Sequence, residues 1–160
     1  MSVKITQTNP NALKKIQAAM KAACEKEVAV GFPMGKAQAY PEGESVIDVA
    51  AKQCFGIGVP ERNFMQLGEV YIAGDSIISD SLKLAAQEAS KPNGNPQGVT
   101  AMQNAAGQQA QALIRKAIIE GNWEPNSPRT IARKGEDARP LIDTGHMLNA
   151  VTYVVRDKKK

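Results

Sequence analysis

Aromatic residues are scarce in this chain: three Phe, three Tyr and one Trp make up 4% of its 160 residues. Helices packed through Ala and aliphatic side chains follow more naturally from that than a large aromatic-lined ligand pocket. Cysteine and histidine are as sparse. Cys24 and Cys54 have no metal-type spacing, and a single His adds little to them. Both thiols therefore read as reduced and semi-buried, with no metal and no cofactor expected. No run of about 18 apolar residues is present to span a bilayer. The opening MSVKITQTNP lacks the apolar segment of a signal peptide. The expectation is a protein made and kept in a cytoplasm, without a membrane partner.

What is present is a globular composition, 42% apolar and 22% charged. Its length suits a single domain burying about two-thirds of its unfolded surface. The formal charge is +4, and Lys158, Lys159 and Lys160 supply three of it. A nearly balanced body does not offer the basic face that nucleic-acid binding needs. The 158–160 tail reads as solvated, and no specific nucleic-acid binding is expected.

Val3 and Ile5 suggest a short strand. After Asn9-Pro10, the spacing of Leu13, Ile16, Met20 and Ala23 or Cys24 predicts a helix with one apolar stripe and Lys14, Lys15 and Lys21 outside it. Glu27 to Phe32 alternates as a strand. Pro33 to Glu44 has no apolar period, and reads either as a long loop or as two strand ends around a mobile tip. Ser45 with Asp48 resembles a capping box, opening a helix that stops at Gly56. The Gly56-Ile57-Gly58 turn lacks the third glycine and preceding strand of a dinucleotide fingerprint. Pro60 starts a short helical piece towards Tyr71. Asp75 or Ser76 caps the next, with Ile78, Leu82, Ala85 and Ala89 along one face. The stretch 91–98 is a loop between helices, and Val99 to Ala117 gives the longest helical pattern, ending at Gly121. Gly107 thins its middle, which predicts close packing or a kink there.

Trp123 to Val155 carries the densest turn and cap signals. Ser127-Pro128 reads as an N-cap and first helical position, and Gly135 ends that helix. Pro140-Leu141-Ile142 reads as extended. Asp143 or Thr144 caps a further turn, and Ala150 to Arg156 is a β-branched strand. Asp143-Thr144-Gly145 matches the aspartic-protease triplet, in which two carboxylates share a proton to activate water. It occurs once, so catalysis would require a homodimer, and only 15 residues follow Gly145. A structural turn in which Asp143 accepts backbone N–H groups is favoured, and the hydrolase is the alternative.

The order of these pieces resembles the tail-completion or head–tail joining (neck) morphogenesis proteins of tailed bacteriophages. The matching segments are Val30-Gly31-Phe32-Pro33, then Val49 to Gly56, then Pro60-Glu61-Arg62-Asn63-Phe64. They close with Pro125-Asn126-Ser127-Pro128, Thr130-Ile131-Ala132, Lys134-Gly135 and Pro140 to Gly145 with Met147-Leu148. Together they cover most of the chain from about Glu27 onward. Asn63 stands where family members often have a second proline, and Gln53-Cys54 replaces the usual Asn-Glu.

The resemblance implies an α+β fold, a small antiparallel sheet packed with several helices in one domain over 1–157. It also implies a structural virion protein without catalysis, assembling as a homo-oligomeric ring, hexameric or higher, beside connector, neck or tail proteins. Such a protein is in the host cytoplasm during assembly and in the virion afterwards. Mobile loops are expected near 33–44 and 91–98. The 33–44 loop is a candidate assembly arm or a plain surface loop. Met34, Lys36, Tyr40, Arg62 and Phe64 are candidate subunit-interface residues, with Phe64 equally suited to the core. Ser127, Asp143, Thr144 and Gly145 are the structural turn and cap residues.

Overall fold

The computed structural model describes residues 11–33, 39–40, 43–135 and 138–158. The expected strand at Val3 and Ile5, the interface candidates Met34 and Lys36, and most of the expected 33–44 arm lie outside them. In chain order the elements are α1 (Ala12–Glu25), β1 (Lys26–Gly31), α2 (Val46–Phe55), α3 (Phe64–Ala73), α4 (Ser76–Ser90), α5 (Pro96–Glu120), α6 (Pro128–Lys134), α7 (His146–Ala150) and β2 (Thr152–Asp157). The fold is α+β, with seven helices and a two-stranded sheet among the described residues.

The longest periodic stretch of the sequence becomes the spine. Asn95 caps α5 by accepting from the Gln97 N–H, and Pro96 opens the helix, where its missing N–H costs nothing. The other helices dock along α5 according to what its two halves offer. Its N-terminal half meets α1 and α4 through small residues: Ala19, Ala22, Ala85, Ala89 and Val99 form one buried cluster. Its C-terminal half contributes Ile114 and Ile118 to the larger core with Phe64, Val46, Ala50, Cys54, Met147 and Val151. Burying each of the large aliphatic or aromatic side chains there contributes about 1.5–3 kcal/mol.

The sheet closes the chain on itself. β1 and β2 pair antiparallel with Lys26 opposite Asp157 and Gly31 opposite Thr152. They lie against the middle of α5, where Gly107 makes the approach possible. A Cβ on Gly107 would fall 2.3 Å from Cδ2 of Tyr153 on β2, so close packing rather than a kink is what this glycine provides.

Three local expectations need correction. In α1 the face turned inward is Ala19 and Ala22, while Leu13 and Met20 are exposed. The crossing is too close for large side chains: a Cβ on Gly94, beyond the end of α4, would sit 3.1 Å from the Ala19 Cβ. On α4, Leu82 is likewise exposed. Finally, Pro140-Leu141 is a turn rather than extended chain. The Ile142 N–H donates to the Arg139 carbonyl at 3.4 Å, and Leu141 has φ +63°. Proline at the second position and positive φ at the third is the type II pattern, here with a half-buried leucine where glycine is usual. No helix among the described residues is long and apolar enough to cross a membrane.

Candidate functional site

The residues that the sequence scattered over a hundred positions come together around one polar pocket of about 470 Å³, bounded by α2, the 58–62 turn, α6 and the turn into α7. Tyr40, Arg62, Ser127, Asp143 and Thr144 all line it, as do Gln53, Lys134 and His146. Gly145 stands just outside, capping α7 with φ +76°. Phe64 does not take part. It is fully buried in the core, edge-on to Phe32 at 6.2 Å between ring centroids.

Arg62 forms the floor. The turn after Gly56 brings it under the 124–126 segment, where Nε donates to the Glu124 carbonyl at 2.9 Å and Nη2 to the Pro125 carbonyl at 3.1 Å. Nη1 donates to Gln53 Oε1 at 3.0 Å. The residue is only 4% exposed, and burial pulls the guanidinium below its ordinary value while Glu124 opposes the shift. An arginine remains charged through such a shift. Its planar fork suits three acceptors set at different angles. Arg62, a candidate for a subunit interface, is therefore spent inside this chain, tying α2 to the 124–125 segment, and Phe64 takes the core place that the sequence equally allowed it.

Ser127 caps α6 as expected, its Oγ accepting from the Thr130 N–H at 3.3 Å. Asp143 does something else. α7 has no side-chain cap, because its N-cap position is Gly145. The Asp143 carboxylate instead lies 3.0 Å from Lys134 Nζ and 3.8 Å from an Arg133 nitrogen. The short helix α6 presents its last-turn cations across the pocket, and Asp143 meets them. Lys134 is well covered, its side chain 17% exposed, whereas Asp143 is half exposed. Thr144 is exposed beside it. On the far wall the Tyr40 ring tilts against His146 at 4.8 Å between centroids, and Glu44 pairs with Lys52, whose pKa it raises.

Sequence reading missed Gln53, Lys134 and His146. None carries a local signal: Gln53 matters through a residue nine positions away, and its partner Arg62 reaches carbonyls 62 and 63 positions further on. Asn63, by contrast, had one. It caps α3, its Oδ1 accepting from the Gln66 N–H at 3.0 Å, and Asn before an apolar helical run is a readable N-cap.

Chemically, the pocket's charged groups are turned on one another. Asp143 is matched by Lys134 and Arg133, Glu44 by Lys52, and the Arg62 fork by three acceptors. Among the described residues no three His, Cys, Asp or Glu side chains converge as metal ligands do. The chain matches no family model, no curated protein and no solved structure.

Proposed function

We propose that this chain is a structural subunit of a tailed-bacteriophage virion, placed at the head–tail junction or the tail terminus, and that it acts by assembling into a ring. The observation that carries this reading is the ordered set of segments from Val30 to Leu148 that resembles the tail-completion and neck proteins. In the fold those segments are neighbours. Val30, Phe32, Val49, Ala50, Cys54, Phe64, Leu141, Ile142, Met147 and Leu148 share one core, and Arg62 ties its turn to Pro125. A resemblance scattered over a chain gains weight when its parts form one framework.

Two physical features support a subunit that works through its surfaces. The pocket interactions are mutual ion pairs and hydrogen bonds to backbone, an arrangement that stiffens a body. Exposed large apolar side chains are numerous, among them Phe55, Ile57, Leu13, Val70 and Ile77, and such side chains are available to an interface. The proposed partners are further copies of the chain, six or more in a closed ring, and the adjoining connector, neck or tail proteins. Specific nucleic-acid binding, a cofactor and catalysis form no part of the proposal. The alternative is a hydrolase formed by pairing two Asp143 carboxylates across a homodimer.

Native mass spectrometry of the purified chain over a range of concentrations, with a casein-cleavage assay alongside, separates these readings. Discrete closed oligomers of six or more copies without cleavage are expected. A dimer that cleaves peptide and is silenced by Asp143→Asn would overturn the proposal.

A further inference from the structure

We propose that the open apolar groove between β1, α2 and α3 receives the exposed face of α1 from a second copy of this chain, in a head-to-tail contact. This rests on the ring reading above and specifies which surfaces make it. The groove measures about 770 Å³, and its walls include Phe32, Ile47, Cys54, Phe55 and Ile72. Phe55, at its edge, is 71% exposed.

The matching surface is on α1. Leu13, Met20 and Cys24 are all exposed, and their spacing of seven and then four residues sets them on one side of the helix. This is the apolar stripe that the sequence offers and that the fold leaves outside, since α1 packs inward through its alanines. An amphipathic helix laid in an apolar groove is a recurrent recognition mode read through such anchors.

Charge favours the same pairing. Lys14 flanks the α1 stripe and has no ion-pair partner among the described residues, whereas Lys15 lies on the opposite side of the helix. Glu69 lines the groove, and Glu61 packs against Gly56 beside Phe55, likewise without a pairing cation among the described residues. The unpaired Lys14 beside the stripe thus meets an acidic rim.

The two surfaces also lie in the right relation. α1 packs on α5 near Val99, and α3 packs on it at Ile114, where Gly68 makes closest approach. Fifteen residues of helix separate these levels by roughly 22 Å. Different patches at different ends of a subunit make a heterologous contact, which propagates from copy to copy until rotation closes it. A self-complementary patch would stop at a dimer.

Cysteine cross-linking of the full chain tests this. Cys24 already sits on the α1 stripe. Gln66→Cys places a thiol on the α3 wall of the groove, and Ile47→Cys does so on the α2 wall. Mild oxidation is expected to give a ladder extending beyond dimers for at least one variant, abolished by adding Cys24→Ser. Met20→Glu is expected to block assembly at least tenfold while leaving the thermal midpoint of the monomer unchanged. A ladder that survives Cys24→Ser, or one that ends at dimers, overturns the contact. So does assembly of the native chain with neither variant cross-linking, which leaves the ring reading standing. A chain that stays monomeric at every concentration contradicts the ring itself.

Discussion

Replacing Arg62 separates a residue that builds the subunit from one that joins subunits. Its guanidinium holds two carbonyls and the Gln53 amide oxygen, at 2.9, 3.1 and 3.0 Å. Hydrogen bonds from a charged donor contribute about 1.5–3 kcal/mol each, but they do not add, and freed carbonyls near the surface regain water. Arg62→Ala should therefore cost about 3 kcal/mol rather than the full sum. Arg62→Lys keeps the charge and loses the fork, and should cost roughly half as much. Urea unfolding followed through Trp123 is the natural assay, because this only tryptophan immediately precedes Glu124 and its indole N–H donates to the Ile118 carbonyl at the end of α5. With a slope of about 2 kcal/mol per molar urea, the alanine variant's midpoint should fall by about 1.5 M. A midpoint unchanged in the isolated subunit, together with failed assembly, would return Arg62 to the interface and refute the clamp.

Gly107→Ala should lower the thermal midpoint by a few degrees. The roughly 1 kcal/mol gained in helix propensity is outweighed by about 1–3 kcal/mol of overpacking, since the new Cβ meets Cγ of Tyr153 at 2.8 Å as well as the ring edge; a midpoint equal to or above that of the native chain would contradict this. Ser127→Ala should cost about 1 kcal/mol as a lost cap, and Asp143→Asn at most about 1 kcal/mol, its carboxylate being half exposed. Denaturant curves check both, and a larger loss at Asp143 would show that the pocket depends on it. Acid should weaken the α4–α5 pair first. Bonds from Gln109 and the Ile78 N–H depress the Asp75 carboxyl, and Lys91 depresses that of Glu88. A carboxyl depressed in the folded state stabilises above its unfolded value, about 4, and loses that contribution as pH falls through the folded value. The midpoint should thus drop below pH 4, less steeply in Asp75→Asn, and parallel profiles would refute the assignment.

Helices were legible wherever a cap and a period agreed. Ser45, Asp75 and Ser127 all cap by side chain as their sequence positions suggest, and Gly56 ends α2 in the left-handed region. Which face of a helix turns inward was not legible where alanines did the packing. In α1 the large residues announce a stripe, yet helix crossings set by Gly94 and Ala19 admit only small ones. The Leu141 turn was hidden because leucine seldom adopts positive φ. The site was legible in part of its membership, Gln53, Lys134 and His146 being missed, and illegible in its wiring. Arg62 and Asp143 stood out as residue types in turn-rich stretches, but which partners they take depends on how α6 and the 124–125 segment lie across α2, and that is decided by the core.

The ring-subunit reading meets its most direct test in a cryo-electron map of phage particles that carry this chain. The account predicts a closed ring of six or more copies at the head–tail junction or tail terminus, with a 25-residue α5 and its flanking two-stranded sheet recognisable in every subunit. A map in which every ring at those positions is built by other chains, with this one absent from the purified particle, would contradict it.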